Sequence, residues 1–223
     1  MLITRSRLVT LTGVMFVAVA AGLIACSGTA PTPSGARGLV MGPCPRPSGI
    51  RTPPLPSRAR CGSLPVPEDP ARPEGRRILL QIARVPARDP DATGAPLLIL
   101  VGGPGQAATE AGPQLLGAFD EIRQEHDLLF VDQRGTGASN PLDCEWTRPD
   151  PFRSDEALED LFRVDPPVEL LRTCRDGWDA DLRFYTSALA ADDLAAVLDA
   201  LGLTRVDVYG VSYGTRLALE LAR

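Results

Sequence analysis

The chain has 223 residues, enough for one large domain or two small ones with a real core, and carries 44% hydrophobic residues and a formal net charge of −5. No basic cluster interrupts that acidic balance, so no nucleic-acid partner is expected. Every one of the 23 basic residues is arginine, which excludes lysine Schiff-base and lysine general-base chemistry, and His126 is the only histidine.

Residues 1–25 read as a targeting segment rather than as part of the fold. Arg5 and Arg7 precede an uncharged apolar run from Leu8 to Ala25, which ends in Leu23-Ile24-Ala25-Cys26 followed by Ser27. Those four residues resemble the lipobox of bacterial lipoproteins. The resemblance implies cleavage before Cys26, lipidation of that cysteine, and an exported protein anchored to a membrane of the cell envelope.

Residues 26–73 are rich in Pro, Gly, Ser and Arg. Pro31, Pro33, Pro43, Pro45, Pro47, Pro53, Pro54 and Pro56 argue against regular helix or central strand, so the stretch is expected to be a tether that becomes a covering segment. With Cys26 set aside, Cys44, Cys61, Cys144 and Cys174 remain. An even number in an exported chain implies two disulfides. Proximity favours Cys44–Cys61 and Cys144–Cys174 among three possible connectivities. The spacings match no zinc site, and no metal is expected.

Residues 74–223 read as the folded domain. Ile78 to Val85 is a predicted strand and Asp89 to Gly94 a turn. Pro96 to Val101 is a continuous apolar run of the kind buried on both faces of a parallel sheet. Gly102-Gly103-Pro104-Gly105 follows it. A helix is predicted from Gln114 to Arg123 and a second buried strand over Leu128 to Val131, ending at Asp132-Gln133-Arg134-Gly135-Thr136-Gly137. Short helices are predicted over Glu156 to Phe162 and Val168 to Trp178. An amphipathic helix is predicted from Leu189 to Leu201, with Gly202 at its C-terminal cap. Asp192 and Asp193 read as a charged first turn. The alternation of strands and helices implies α/β architecture, with a mostly parallel sheet and flanking helices.

The last stretch carries the chemistry. Val206 to Tyr209 reads as a strand, Thr215 to Arg223 as a helix, and Gly210-Val211-Ser212-Tyr213-Gly214 lies between them. Strand, G-x-S-x-G, helix is the pattern of a nucleophile elbow. Its sharp turn lifts the serine hydroxyl out of the sheet, and glycine two residues to either side supplies missing volume. Ser212 is the candidate nucleophile. The backbone N–H groups of Tyr213 and Gly103 are the candidate donors to an oxyanion. The glycine loops match neither a dinucleotide fingerprint nor a phosphate loop, and no cofactor is expected.

Taken in order, Gly-Gly-Pro-Gly at 102–105, Asp-Gln-Arg-Gly-Thr-Gly at 132–137, Tyr185-Thr186, Asp193-Leu194 and Gly-Val-Ser-Tyr-Gly-Thr at 210–215 resemble the α/β-hydrolase family of proline iminopeptidases and tripeptidyl aminopeptidases. The resemblance covers roughly residues 60 to 223. It implies a serine exopeptidase acting on peptide N-termini through an acyl-enzyme. It also implies that the Asp132–Gly137 loop supports the site rather than reacting. Many members have His where this chain has Val101. A serine nucleophile needs a histidine oriented by an acid, in the chain order Ser, acid, His for this fold. Only eleven residues follow Ser212, and His126 lies upstream before a strand. The expectation is a fragment whose hydrolase fold is incomplete at the C-terminus and which is inactive alone. The alternatives are an esterase or lipase on the same fold, and a non-catalytic truncated surface lipoprotein.

Overall fold

A computed structural model describes residues 38–45, 54–144 and 168–223. The targeting segment, Cys26 and the helix expected over Glu156 to Phe162 lie outside the described residues.

Six strands form one sheet in the order β1-β2-β3-β5-β4-β6. They are β1 (Val40–Pro43), β2 (Arg60–Pro67), β3 (Arg77–Val85), β4 (Leu97–Leu100), β5 (Leu128–Val131) and β6 (Asp207–Gly210). Strands β5, β4 and β6 run parallel, while β1, β2 and β3 join them antiparallel. The parallel half coincides with the continuous apolar runs. Leu98 and Leu100 of β4 face one core and Leu97 and Ile99 the other. Burial on both faces is what selects such a run.

Helices cover both faces. α1 (Ala108–Leu115) packs with Val85, Ile99 and Phe130 on one side. α3 (Ser187–Ala200) and α4 (Tyr213–Leu221) pack on the other through Ala190, Leu194, Val197 and Leu217. α2 (Val168–Gly177) lies earlier in the chain. Each fully buried Leu or Ile here stabilises the fold by roughly 1.5–3 kcal/mol. Among the described residues no helix is long and apolar enough to cross a membrane.

Two expectations are corrected. The proline-rich covering segment contains strands: β1 sits at the sheet edge, and β2 pairs with β3 along its whole length. Pro65 and Pro67 lie inside β2 without breaking its ladder. The Glu68 amide donates to the Arg76 carbonyl, so even-numbered amides of this strand face β3. Pro65 and Pro67 therefore turn their missing N–H groups to the other side, beyond the last β1 pair, Val40 with Ser63.

The helix expected at Gln114–Arg123 instead occupies Ala108–Leu115, with a separate 3-10 turn at Ile122–Gln124. Pro113 lies within the helix, although a proline there removes one internal bond. The start is fixed from outside. Ala107, the residue before the helix, has no side-chain cap, and the Asp132 carboxylate accepts from the Thr109 amide at 2.7 Å and from its hydroxyl at 2.8 Å. That long-range cap satisfies an otherwise orphaned amide.

Cys44–Cys61 and Cys144–Cys174 are disulfide-bonded in the structure. The first ties the end of β1 to the start of β2. The second ties the stretch after the Asp132–Gly137 loop to α2.

Candidate active site

Three loops leave the carboxyl ends of the parallel strands β4, β5 and β6, where open α/β sheets place their sites. The loop after β6 is the most constrained. Ser212 has φ 52° and ψ −119°, a conformation that costs a non-glycine residue on the order of 1–3 kcal/mol. Its neighbours hold it there. The Val211 amide donates to the Leu100 carbonyl at 3.0 Å, and the Gly214 amide to the Val211 carbonyl at 2.8 Å. The Thr215 hydroxyl donates to the Ser212 carbonyl at 2.7 Å.

The two flanking glycines are required by space. A Cβ on Gly210 would lie 2.7 Å from the Gly214 carbonyl oxygen. A Cβ on Gly214 would overlap the Leu100 carbonyl and lie 2.9 Å from the oxygen of Val101. Ser212 itself is exposed, at the start of α4.

The loop after β4 closes against this serine. A Cβ on Gly102 would stand 3.1 Å from Ser212 Cβ and 3.6 Å from its Oγ. Gly102 is thus the point of contact, one residue before Gly103. Gly103 has φ 109°, a region that favours glycine, and Gly105 has φ 110°. Tyr213 begins α4, so its amide is one of the N–H groups without an intrahelical partner. Tyr213 follows Ser212 directly, and Gly103 follows the glycine that touches it.

The loop after β5 is a brace. Burial pushes the Asp132 carboxyl up, against the hydrogen bonds from Thr109 and Ala138. It joins the N-terminus of α1 to its own loop, just downstream of Gly102–Gly105. Ser139 Oγ donates to the Asp132 carbonyl and accepts from the Gln81 amide, which stitches the loop to β3.

Arg134 is buried and pairs with Asp193 of α3. Its guanidinium donates to both Asp193 carboxylate oxygens at 2.7 Å, to the Phe184 carbonyl at 2.8 Å and to the Glu68 carbonyl at 3.1 Å. This corrects the reading of Asp193 as a charged first turn, because its side chain is only 7% exposed. Burial raises its carboxyl, and Arg134 pulls the other way. Asp192 alone is solvent-facing. The signal was present in the pattern: Asp193 falls on the stripe of Ala190, Leu194 and Val197, where a lone acid needs a buried cation.

Glu68 was also missed. It is buried at the end of β2 and accepts from the Asp181 amide and the Tyr185 hydroxyl, both at 3.0 Å. Asn140 donates to the same hydroxyl at 2.7 Å. Burial and Glu68 push the Tyr185 phenol up to about 12.

His126 lies at the other end of the sheet. Its Nδ1 donates to the Ala95 carbonyl at 2.7 Å, just before β4 begins, whereas Ser212 stands beyond the carboxyl end of β6. At least the length of β4, roughly 13 Å, separates them.

The alpha/beta hydrolase fold family matches residues 95–223. Serine protease Hip1 of Mycobacterium tuberculosis is 31% identical over 188 residues, covering 75% of this chain and 34% of that one. Tripeptidyl aminopeptidase of Streptomyces lividans is 29% identical over 175 residues, covering 73% and 32%. Carboxylesterase B of Mycobacterium tuberculosis is 35% identical over 114 residues, covering 50% and 20%. The chain therefore spans about a third of the length of the two peptidases it matches.

Proposed function

The chain belongs to the alpha/beta hydrolase family, and on that premise we propose that Ser212 is the nucleophile of a serine peptidase that removes residues from peptide N-termini. The observation that carries the proposal is the strained backbone of Ser212 between β6 and α4, with Gly102 against its side chain. Strain of that kind persists only where surrounding structure over-determines it.

In the proposed reaction Ser212 Oγ attacks the carbonyl carbon of the scissile peptide bond. The oxygen of that carbonyl takes up negative charge and is met by the amides of Tyr213 and Gly103, each worth roughly 3 kcal/mol in such a role. The C–N bond then breaks. The proton lost by the hydroxyl goes to a base and from there to the leaving amine. Water hydrolyses the acyl-enzyme by the reverse sequence.

The base is a histidine in this fold, and His126 is held at the wrong end of the sheet to serve. The proposal is therefore for the activity of a protein of the relatives' length.

Peptide substrates are favoured by the two peptidases among the relatives, and an ester substrate by the carboxylesterase. Three substrates separate the readings in the full-length protein: a tripeptidyl anilide with a free amine, its N-acetylated form, and a short acyl ester. An aminopeptidase cleaves the first at least tenfold faster than the second. Turnover of the ester alone establishes the esterase reading instead.

We propose further that the mature protein begins at a lipidated Cys26 and is anchored to a membrane of the cell envelope. Leu23-Ile24-Ala25-Cys26 supports this, as do the paired cysteines, which suit an oxidising compartment. An unmodified Cys26 in the mature protein's mass spectrum contradicts it.

A further inference from the structure

Tyr213 carries a side chain as well as an amide, and the side chain has a partner. Its phenol oxygen lies 2.9 Å from Ser187 Oγ. Ser187 is the first residue of α3, the helix that packs beside α4. Among the described residues this is the only side chain–side chain hydrogen bond between the two helices.

Both ends of the contact are anchored. Thr186 caps α3 by accepting from the Leu189 amide, and the buried Asp193–Arg134 pair fixes the helix one and a half turns further on. On the other side, Gly214 is pressed against the Leu100 and Val101 carbonyls. The Tyr213 backbone is thus held from the C-terminal side by the glycine contact. Its ring is held by the hydroxyl of Ser187.

We propose that Ser187 is a positioning residue for the oxyanion site, setting the orientation of the Tyr213 peptide through the Tyr213 hydroxyl. This rests on the reading of Ser212 as the acylated nucleophile. Two features argue for a role beyond packing. The bond joins α3 to the residue immediately after Ser212. In addition, both residues are half-buried, and their hydroxyls are paired with each other. An amide aimed at developing charge loses most of its value when its direction is released, because preorganisation is what makes it effective.

The experiment uses the full-length enzyme and two readouts: acylation of Ser212 by a fluorophosphonate, and kcat and KM on the cleaved substrate. Tyr213→Phe and Ser187→Ala are each expected to lower kcat and the acylation rate about tenfold, with KM within about twofold. The double variant is expected to be no slower than either single, since both remove one bond. Ser187→Thr keeps a hydroxyl and is expected to restore most of the rate. Thermal midpoints of all four variants identify any that fails to fold, and Tyr213→Phe with Ser187→Thr carry the test if Ser187→Ala does. A wild-type enzyme that acylates normally alongside single variants within twofold of it overturns the proposal. So do losses that multiply in the double variant, or a drop confined to KM. A wild type whose turnover survives Ser212→Ala removes the nucleophile reading itself, which is a different result.

Discussion

Replacing Asp193 with leucine tests how the site's supporting layer is held. The Arg134 and Asp193 side chains are 3% and 7% exposed and share two hydrogen bonds of 2.7 Å. Asp193→Leu leaves the guanidinium with only the Glu68 and Phe184 carbonyls. An uncompensated buried charge of this kind costs about 3–5 kcal/mol. For a domain of this size that is a fall in Tm of roughly 6–20 °C. Arg134→Met leaves the acid unpaired instead, and an acid has an escape that a guanidinium lacks. Burial is the leading influence on Asp193 and raises its carboxyl, so without Arg134 it rises further and the group neutralises by binding a proton. A carboxyl whose folded pKa exceeds its unfolded value of about 3.9 contributes stability that is complete below that value and is lost as pH rises through the folded pKa. Arg134→Met should therefore gain stability relative to wild type as pH falls from 8 to 5, while Asp193→Leu should not. The double variant Arg134→Met/Asp193→Leu removes both charges and should be more stable than Asp193→Leu. Urea unfolding across that pH range reads all three. A double variant whose loss equals the sum of the singles, or an Arg134→Met variant with the wild-type pH slope, refutes the reasoning.

Three further outcomes are expected. Gly214→Ala drives a methyl into the Leu100 carbonyl. It should abolish fluorophosphonate labelling and sharply lower soluble yield, and a labelled variant with the wild-type Tm contradicts the steric account. The Tyr185 phenol, pushed up to about 12 chiefly by burial, adds stability below its unfolded value of about 10 that is lost as pH rises towards 12. Wild type should lose stability faster than Tyr185→Phe above pH 10, whereas parallel curves refute the assignment. Removing the Cys44–Cys61 bond as Cys44→Ser/Cys61→Ser opens a loop with a sequence separation of 17, and the chain-entropy relation puts the cost at roughly 3 kcal/mol. A loss below about 0.5 kcal/mol in chemical denaturation means that the strand pairing alone holds this segment.

What the sequence made legible was whatever local chemistry controls. The apolar runs of β4 and β5 declared a doubly covered sheet because few other environments bury every residue in a row. The elbow was legible because Gly210 and Gly214 are demanded by backbone overlap within a few residues. Misplaced elements share a different cause, control from far along the chain. α1 starts where Asp132, 23 residues on, caps it, so a local reading that began the helix at Gln114 put it too late. β2 tolerates Pro65 and Pro67 because its pairing with β1 extends only as far as Ser63, and no local pattern records the extent of a neighbouring strand. Asp193 lay between the two cases. Its place on the apolar stripe of α3 was visible, but its partner Arg134 lies 59 residues upstream. Glu68 has Arg76 close by in sequence, but its hydrogen-bonding partners Asp181 and Tyr185 come from more than a hundred residues away.

The central claim is that Ser212 is the reacting atom's host, and covalent labelling tests it most directly. The full-length protein is treated with a fluorophosphonate, digested, and the adduct located by tandem mass spectrometry. The account predicts a single adduct on the peptide containing Ser212, absent in Ser212→Ala although that variant keeps the wild-type Tm. An adduct on another serine, or peptide hydrolysis that persists in Ser212→Ala, contradicts it.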